Sequence, residues 1–368
     1  MTQTVLIDAF YTAGINGHGG DHRTSQLFEL LEQANLKIAV MEKPRFNTQI
    51  ERYQAGFKAL LNYKTLPFVV KHSLSRITPP AEIVKFGFQS QIYSEAIKQH
   101  NGSKVLIWET TKHSTAPYIA KQRGFKVIAV PHNLDCFVLP PQHFHQNFDQ
   151  EIESLRAAQV VFCISREEQW LLKLRGINAD FLPYYPPASI VERLLEVRTL
   201  RKTSPKKNLL ILGSAGNIPT FQGMVEQIQW LHHLREQQAF TVDIVGYQTQ
   251  LLQPYCKHDD FVVHGAVTPE ELNQFLTHAT VALVHQKAAA GALTRIPELL
   301  IAGVPLIANS VAARSAYCFS GIHCYDTLPE LAALLLQSFE MPDLPQRPVD
   351  AEKRFIECVR QMTDSSQV

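Results

Sequence analysis

The sequence predicts an α/β protein built from two doubly wound parallel-sheet domains. Three observations lead there. Short apolar runs alternate with longer amphipathic stretches along most of the chain, the order expected of a parallel sheet covered on both faces. The alternation breaks once, at Leu182-Pro-Tyr-Tyr-Pro-Pro187, and then restarts. The length, 368 residues, suits two domains at roughly 150 residues each.

In the first half, Val5–Phe10, Leu36–Met41, Pro67–Val70, Val105–Trp108, Val127–Val130, Val160–Ile164 and Ala179–Leu182 read as strands. Helical periodicity falls at Arg23–Ala34, Ala81–Lys98, Thr115–Gln122 and Glu167–Leu174. The three prolines at 183, 186 and 187 cannot continue a central strand or a helix. A charged helical stretch, Ser189–Lys202, follows them and reads with them as a linker. In the second half the strands are Leu209–Leu212, Thr241–Val245, Phe261–Val263, Val281–Val284 and Leu306–Ala308. Helices are expected near Met224–Leu234, Pro269–Thr277, Arg295–Ala302 and Leu328–Ser338, with an amphipathic tail helix over Val349–Met362. The expected division is a first domain over 1–186, a linker over 187–207, a second domain over 208–342, and a segment over 343–368 carrying the tail helix.

Composition narrows the function. Hydrophobic residues are 45% and charged residues 19% of the chain, enough for a packed core. Lys plus Arg number 35 against 34 Asp plus Glu, which argues against a dedicated nucleic-acid binder. No apolar run approaches the ~18 residues of a membrane span. No basic and then apolar leader is visible at the start, and the six cysteines are scattered without a C-x-x-C pair. The expectation is a cytoplasmic protein with reduced thiols and no metal site.

Ligands of open α/β sheets bind at the carboxyl ends of the strands, so the loops there carry the candidates. After the first strand comes Thr12-Ala-Gly-Ile-Asn-Gly-His-Gly-Gly-Asp-His22, where His18, Asp21 and His22 stand among glycines. Glycines permit close backbone approach to a ligand, and a following helix offers free N–H groups to an anion. A dinucleotide site with Glu42 on a ribose is one reading, but Gly14, Gly17, Gly19 and Gly20 do not make G-x-G-x-x-G. A plain tight turn is another. Trp108-Glu-Thr-Thr-Lys112 and Pro131-His-Asn-Leu-Asp-Cys136 end two later strands. His132 there could meet a substrate or cap local backbone, and Glu109 could face the cleft or serve a helix N-terminus.

In the second half, Gly213-Ser-Ala-Gly-Asn217 repeats the strand, glycine loop, helix design without the Lys of a P-loop. The most informative stretch runs from His285 to Pro305. A loop of small residues leads to Thr294, expected as an N-cap, with Pro297 in the first turn. Glu298 lies one turn in. Such a helix start suits a diphosphate and a ribose diol, or Thr294 and Glu298 merely stabilise the helix.

Gly291-Ala-Leu-Thr-Arg-Ile-Pro-Glu298 and the following Gly303-Val-Pro305 resemble the donor-site segment of GT-B glycosyltransferases of the family-four, group 1 type. The N-terminal glycine loop, the Pro-His-Asn loop, Cys163-Ile-Ser-Arg-Glu-Glu168 and Gly213-Ser-x-x-Asn217 resemble that family in the same order. The resemblance implies two Rossmann-like domains facing a cleft, with the tail helix crossing back to the first. It implies a hexosyltransferase-like enzyme moving a sugar from a nucleotide-diphosphate donor, with retention and with no cofactor or metal. Glu298 matches the residue that holds the donor ribose. Gly291, Ala292 and Leu293 match the backbone that meets the diphosphate, next to Thr294. Gly19 and Gly20 match the loop that closes over it, and Gly213 and Asn217 the second glycine loop. His132 matches the histidine near the transferred sugar, with Glu109, Thr110 and Asn133 on the acceptor side. Two departures stand out. Ala290 occupies the place of the family's first glutamate, and Leu293 that of a frequent lysine, so Arg295 is left to supply the missing charge. Donor-sugar recognition is therefore altered or activity lost. Inversion with His18 or Asp21 as general base, a ligand-binding protein, and a sugar-nucleotide epimerase are the competing readings. The acceptor is a glycan, a lipid or a small molecule.

One local feature adds a partner. Between 51 and 98 there are seven Lys/Arg (52, 58, 64, 71, 76, 85, 98) against three Glu, interleaved with Phe57, Leu60, Leu61, Tyr63, Phe68 and Phe86. The alternatives are a peripheral contact with the inner membrane face, through an anionic lipid or a lipid-linked acceptor, and solvated charge around ordinary core residues.

Overall fold

A computed structural model describes residues 3–14, 17–43, 48–61, 66, 80–100, 102–109, 115–138, 144–287, 290–316 and 318–364. The expected strand Pro67–Val70 and Thr110 lie outside them. The chain forms two compact units. One comprises Met1–Phe10, Phe28–Leu182 and Asp350–Val368, and the other Tyr11–Leu27 and Pro183–Val349.

The sheet of the first unit contains β1 (Thr4–Asp8), β2 (Lys37–Val40), β3 (Val105–Trp108), β4 (Lys126–Ala129), β5 (Val160–Cys163) and β6 (Ala179–Phe181). They pair in parallel in the order β2-β1-β3-β4-β5-β6. All four residues of β3 and of β5 are buried, as expected of strands covered on both faces. Leu6, Leu106, Trp108, Val127, Ala129 and Val161 build a core with Tyr93, Ile97, Ile119, Phe148, Ile152 and Leu155 from the helices. Of those helices, Phe144–Arg156 is additional to the expected ones, as is Gln49–Leu60 elsewhere in the unit.

The terminal helix, Val349–Asp364, docks with its apolar stripe. Phe355 is fully buried and meets Phe162 edge-on at 5.1 Å, a burial worth about 2 kcal/mol. Arg354 pairs with Asp180 at 2.9 Å. Arg360 donates to the carbonyls of Gln33 and Ala34 at 3.0 and 3.1 Å, satisfying the open C-terminus of the helix Gly19–Gln33.

The second sheet contains β7 (Asn208–Leu212), β8 (Val242–Val245), β9 (Phe261–Gly265), β10 (Ala279–Val284), β11 (Leu306–Asn309) and β12 (Ile322–Tyr325). It is also parallel, in the order β12-β11-β10-β7-β8-β9. Alternation along the strands splits its core in two. Leu209, Ile211, Val281, Leu283 and Ile307 face the helix Ile218–Arg235. Leu210, Ala282, Val284, Leu306 and Ala308 face the helices Ala188–Arg201 and Arg295–Ile301. The stretch expected as a linker is thus a core helix of this unit. It buries Ile190, Leu194, Val197 and Arg201 on one stripe.

Candidate functional site

The order of the second sheet reverses between β7 and β10, and a doubly wound sheet opens its ligand crevice at such a switch point. The loops leaving those two strands are Gly213–Asn217 and 285–294. Arg295 joins them. A Cβ on Gly213 would lie 3.1 Å from Arg295 Nη1. Arg295 Nε is buried and, among the described residues, accepted by no hydrogen-bond partner. Burial pushes the guanidinium down to about 10, with no carboxylate opposing it among the described residues. A half-buried cation at a switch point, with no anion beside it among the described residues, is a place for an anionic ligand.

The loop that delivers Arg295 is held from behind. Gly291 is buried with φ +64°, a turn that suits glycine, and its carbonyl accepts from Arg314 Nη2 at 2.6 Å. Asn309 brackets Gln286, accepting from its N–H at 3.0 Å and donating to its carbonyl at 2.9 Å. His285 is buried between the Tyr325 hydroxyl at 2.8 Å and Glu226 at 3.1 Å. Leu293 packs on the core.

Thr294 corrects an expectation. It precedes the helix but has helical φ and ψ and makes no side-chain cap. Its hydroxyl instead lies against Gly19, where a Cβ would come within 1.9 Å of Oγ1. No larger residue fits at 19 without displacing Thr294. Gly19 and Gly20 also differ from the loop glycines expected, because the helix starts at Gly19, four residues earlier than its periodicity indicates. Asn217 caps the helix Ile218–Arg235, accepting from the N–H of Thr220 at 3.2 Å.

Glu298 stands one turn into its helix. Its Oε1 accepts from the Tyr184 hydroxyl at 2.5 Å and lies 2.8 Å from His22 Nδ1. The phenol is pushed well above its ordinary range by burial and by the Glu298 charge, so Tyr184 remains a donor. His18 and Asp21 form a pair of their own in the same segment. His18 Nδ1 accepts from the Gly20 N–H at 3.1 Å and lies 3.2 Å from Asp21 Oδ2, which also accepts from the His18 N–H at 2.8 Å.

In the first unit the polar cluster sits at the carboxyl ends of β2, β1, β3 and β4. Lys43 pairs with the fully buried Asp8, which accepts from the Tyr93 hydroxyl at 2.6 Å. Burial pushes the Asp8 carboxyl up, against the lowering effect of Lys43. Next along the edge, Glu109 Oε1 lies 2.8 Å from His132 Nε2, and Oε2 accepts from the Phe10 N–H at 2.8 Å. Glu109 is therefore a buried partner of His132. Asn133 follows half-buried in the turn. Two further carboxylates fix that turn. Glu168 accepts from the Leu134 N–H at 2.9 Å, and Glu151 accepts from Asp135 and Cys136, each at 2.9 Å. Sequence reasoning singled out neither Glu151 nor Tyr184, Asp8 or Lys43, which come from segments distant in the chain.

No protein-family model matches this chain, and no curated protein sequence does. Solved structures do. A sucrose-phosphate synthase from Thermosynechococcus elongatus superposes with a TM-score of 0.61 at 16% identity, over 91% of this chain and 89% of that one. Anabaena HepE in complex with UDP gives 0.57 at 12% identity, over 98% and 100%. A UDP-GlcNAc 2-epimerase from Methanocaldococcus jannaschii, solved with UDP-GlcNAc and UDP, gives 0.56 at 11% identity, over 98% and 100%. The shared architecture is the GT-B fold, with two Rossmann-like units in one chain. At these identities the likeness establishes the fold.

Proposed function

We propose that this chain is a glycosyltransferase of hexosyltransferase type, taking a sugar from a nucleotide-diphosphate donor. The observation that carries the reading is Arg295, a half-buried guanidinium with no anion beside it among the described residues, at the switch point of the second sheet, with Glu298 three residues further on. The barrier to transfer is departure of the nucleoside diphosphate from the anomeric carbon. A preorganised cation lowers that barrier by meeting the developing charge, so the reading asks for no metal. Glu298 supports it as an acceptor for ribose hydroxyls, with the backbone of Gly291, Ala292 and Leu293, and the loops at Gly19, Gly20, Gly213 and Asn217, around the diphosphate. His132, held by Glu109, serves the transferred sugar, and Asn133 and Thr110 the acceptor. Retention of configuration is the stereochemistry that goes with the family resemblance. The named structures that bind UDP and UDP-sugars support the donor class.

Turnover against a panel of nucleotide sugars and acceptors tests this. Release of nucleoside diphosphate is expected, reduced at least about 100-fold in Glu298→Ala and in His132→Ala. Binding of no nucleotide sugar would refute the reading. The epimerase among the structural neighbours favours one alternative. Conversion of the sugar without any acceptor, seen by product analysis, would establish it instead. Stabilisation by nucleotide sugars with no turnover would assign a binding protein, in which Ala290 marks the lost acid.

We also propose a peripheral membrane contact, made by the helix Gln49–Leu60. Its Ala55 and Gly56 are buried, while Ile50, Tyr53, Phe57 and the adjoining Leu61 are 52–87% exposed along one face. Lys58 and Arg52 are exposed on the same helix. Lys64, Lys71, Arg76, Tyr63 and Phe68 lie outside the described residues. An apolar face with basic neighbours is an interfacial pattern. Cosedimentation with anionic vesicles is expected to fall about tenfold in Phe57→Ser and with added salt. Equal recovery with and without vesicles would remove the contact.

A further inference from the structure

Glu298 is gripped on one side only. Both lone pairs of Oε1 have a partner, the Tyr184 hydroxyl at 2.5 Å and the His22 ring nitrogen at 2.8 Å. Oε2 has no hydrogen-bond partner among the described residues, and the carboxylate remains 18% exposed. Tyr184 and His22 are themselves 4% and 6% exposed. They are bound to each other's segments as well. The Pro183 carbonyl accepts from Arg23 Nη1 at 3.4 Å and from Gln26 Nε2 at 3.1 Å, and Arg23 donates to Gln26 Oε1 at 2.5 Å. Arg23 is fully buried. The first turns of the helix Gly19–Gln33 therefore hold the backbone at Pro183, and the two segments together hold one oxygen of Glu298.

We propose that Tyr184 and His22 are positioning residues that saturate Oε1 of Glu298 and present Oε2 alone to a ligand hydroxyl. The inference rests on the donor-site reading and specifies how that site recognises a ribose. A carboxylate free at both oxygens can take a vicinal diol in two-point fashion, but it has rotational freedom to lose on binding. Here χ rotation is arrested before the ligand arrives, and a single acceptor of fixed direction is offered. Preorganisation of this kind raises affinity by removing an ordering cost. It also predicts which ligands feel the loss of Tyr184. Only those whose hydroxyl meets Oε2 depend on how that oxygen is held. The proline-rich stretch 182–187 accordingly supplies a residue to the site, and the glycine segment 11–27 contributes through His22 as much as through its glycines.

The test compares ribonucleoside diphosphates with their 2′,3′-dideoxy counterparts. Titration calorimetry with UDP, ADP and GDP, and with the three dideoxy forms, is carried out on the full chain and on Tyr184→Phe and His22→Ala. For the best-bound ribonucleotide, each substitution is expected to weaken binding about tenfold, the worth of one hydrogen bond to a charged group. For its dideoxy form the affinity is expected to change by less than about twofold. Equal losses for both forms would show a general structural effect and overturn the inference while leaving the donor site standing. No loss for either form would do the same. If the unsubstituted protein binds none of the nucleotides, the donor-site reading fails and this inference with it.

Discussion

Arg201→Met is expected to destabilise the second unit by about 3 kcal/mol, and Arg201→Lys to cost nearly as much. Arg201 is 4% exposed on the helix Ala188–Arg201 and has no carboxylate partner among the described residues. Its Nε donates to the Gly303 carbonyl at 2.9 Å. Its Nη1 donates to the carbonyls of Leu276, of Thr277 at 3.2 Å and of Ala279 at 2.9 Å. These carbonyls lie at the end of the helix Pro269–His278 and just past the helix Arg295–Ile301, where backbone acceptors are otherwise left over. The guanidinium is disfavoured by burial, then by Arg198, and falls to about 10. Its charge is therefore a cost, offset by donors that fan out in one plane. Methionine removes the cost but leaves four buried carbonyls to find water. Lysine keeps the charge and cannot reproduce the fork. Against a total stability of about 5–15 kcal/mol, a fall in melting temperature of about 10 °C is expected. A methionine variant melting with the parent would show that the carbonyls are otherwise satisfied.

Periodicity carried the fold class, for reasons visible in single elements. Val105–Trp108 is apolar at every position and buried at every position, so a short run bounded by polar loops identified it. The helix Phe144–Arg156 was harder to see. Its apolar positions 144, 148, 152 and 155 are separated by eight polar neighbours, and no capping residue announces it. Ile322–Tyr325 is an edge strand with only Tyr325 buried, and its Ile-His-Cys-Tyr sequence lacks the apolar continuity of a central strand. The helix Ala188–Arg201 reads as a tether in the sequence because prolines precede it. Yet those prolines open the second unit at Pro183 and lead into the helix without a gap, Pro187 standing at its N-terminal boundary.

The candidate site was legible where one loop carries it and hidden where the fold assembles it. The segment 291–298 shows its glycine, Arg295 and Glu298 in a row. Nothing in the spacing of His22, Tyr184 and Glu298, separated by 162 and 114 residues, indicates that they meet. Likewise the side chain of Thr294 reads as a cap by local rule, and only the approach of Gly19 shows why its hydroxyl is used elsewhere.

Arg295→Met is expected to move binding and stability in opposite directions. In the unliganded protein, Arg295 keeps a positive charge largely out of water, with no anion beside it and no hydrogen bond at Nε among the described residues. Exchanging such a group for an apolar side chain of similar length removes a desolvation cost. The melting temperature without ligand should therefore rise, by the equivalent of about 1 kcal/mol. Binding should fall. A charge-assisted contact to a diphosphate in an enclosed site is worth about 2–3 kcal/mol, so the affinity for a nucleoside diphosphate is expected to drop about 30- to 150-fold. The unphosphorylated nucleoside should bind both proteins equally, because it does not reach the charge. A thermal-shift series with nucleoside, nucleoside monophosphate and diphosphate reads all three quantities in one format. If Arg295 were a structural cation with an overlooked partner, the substitution would lower the unliganded melting temperature and affect all three ligands alike. Natural selection has little reason to hold a destabilising cation at a switch point except for the ligand that neutralises it.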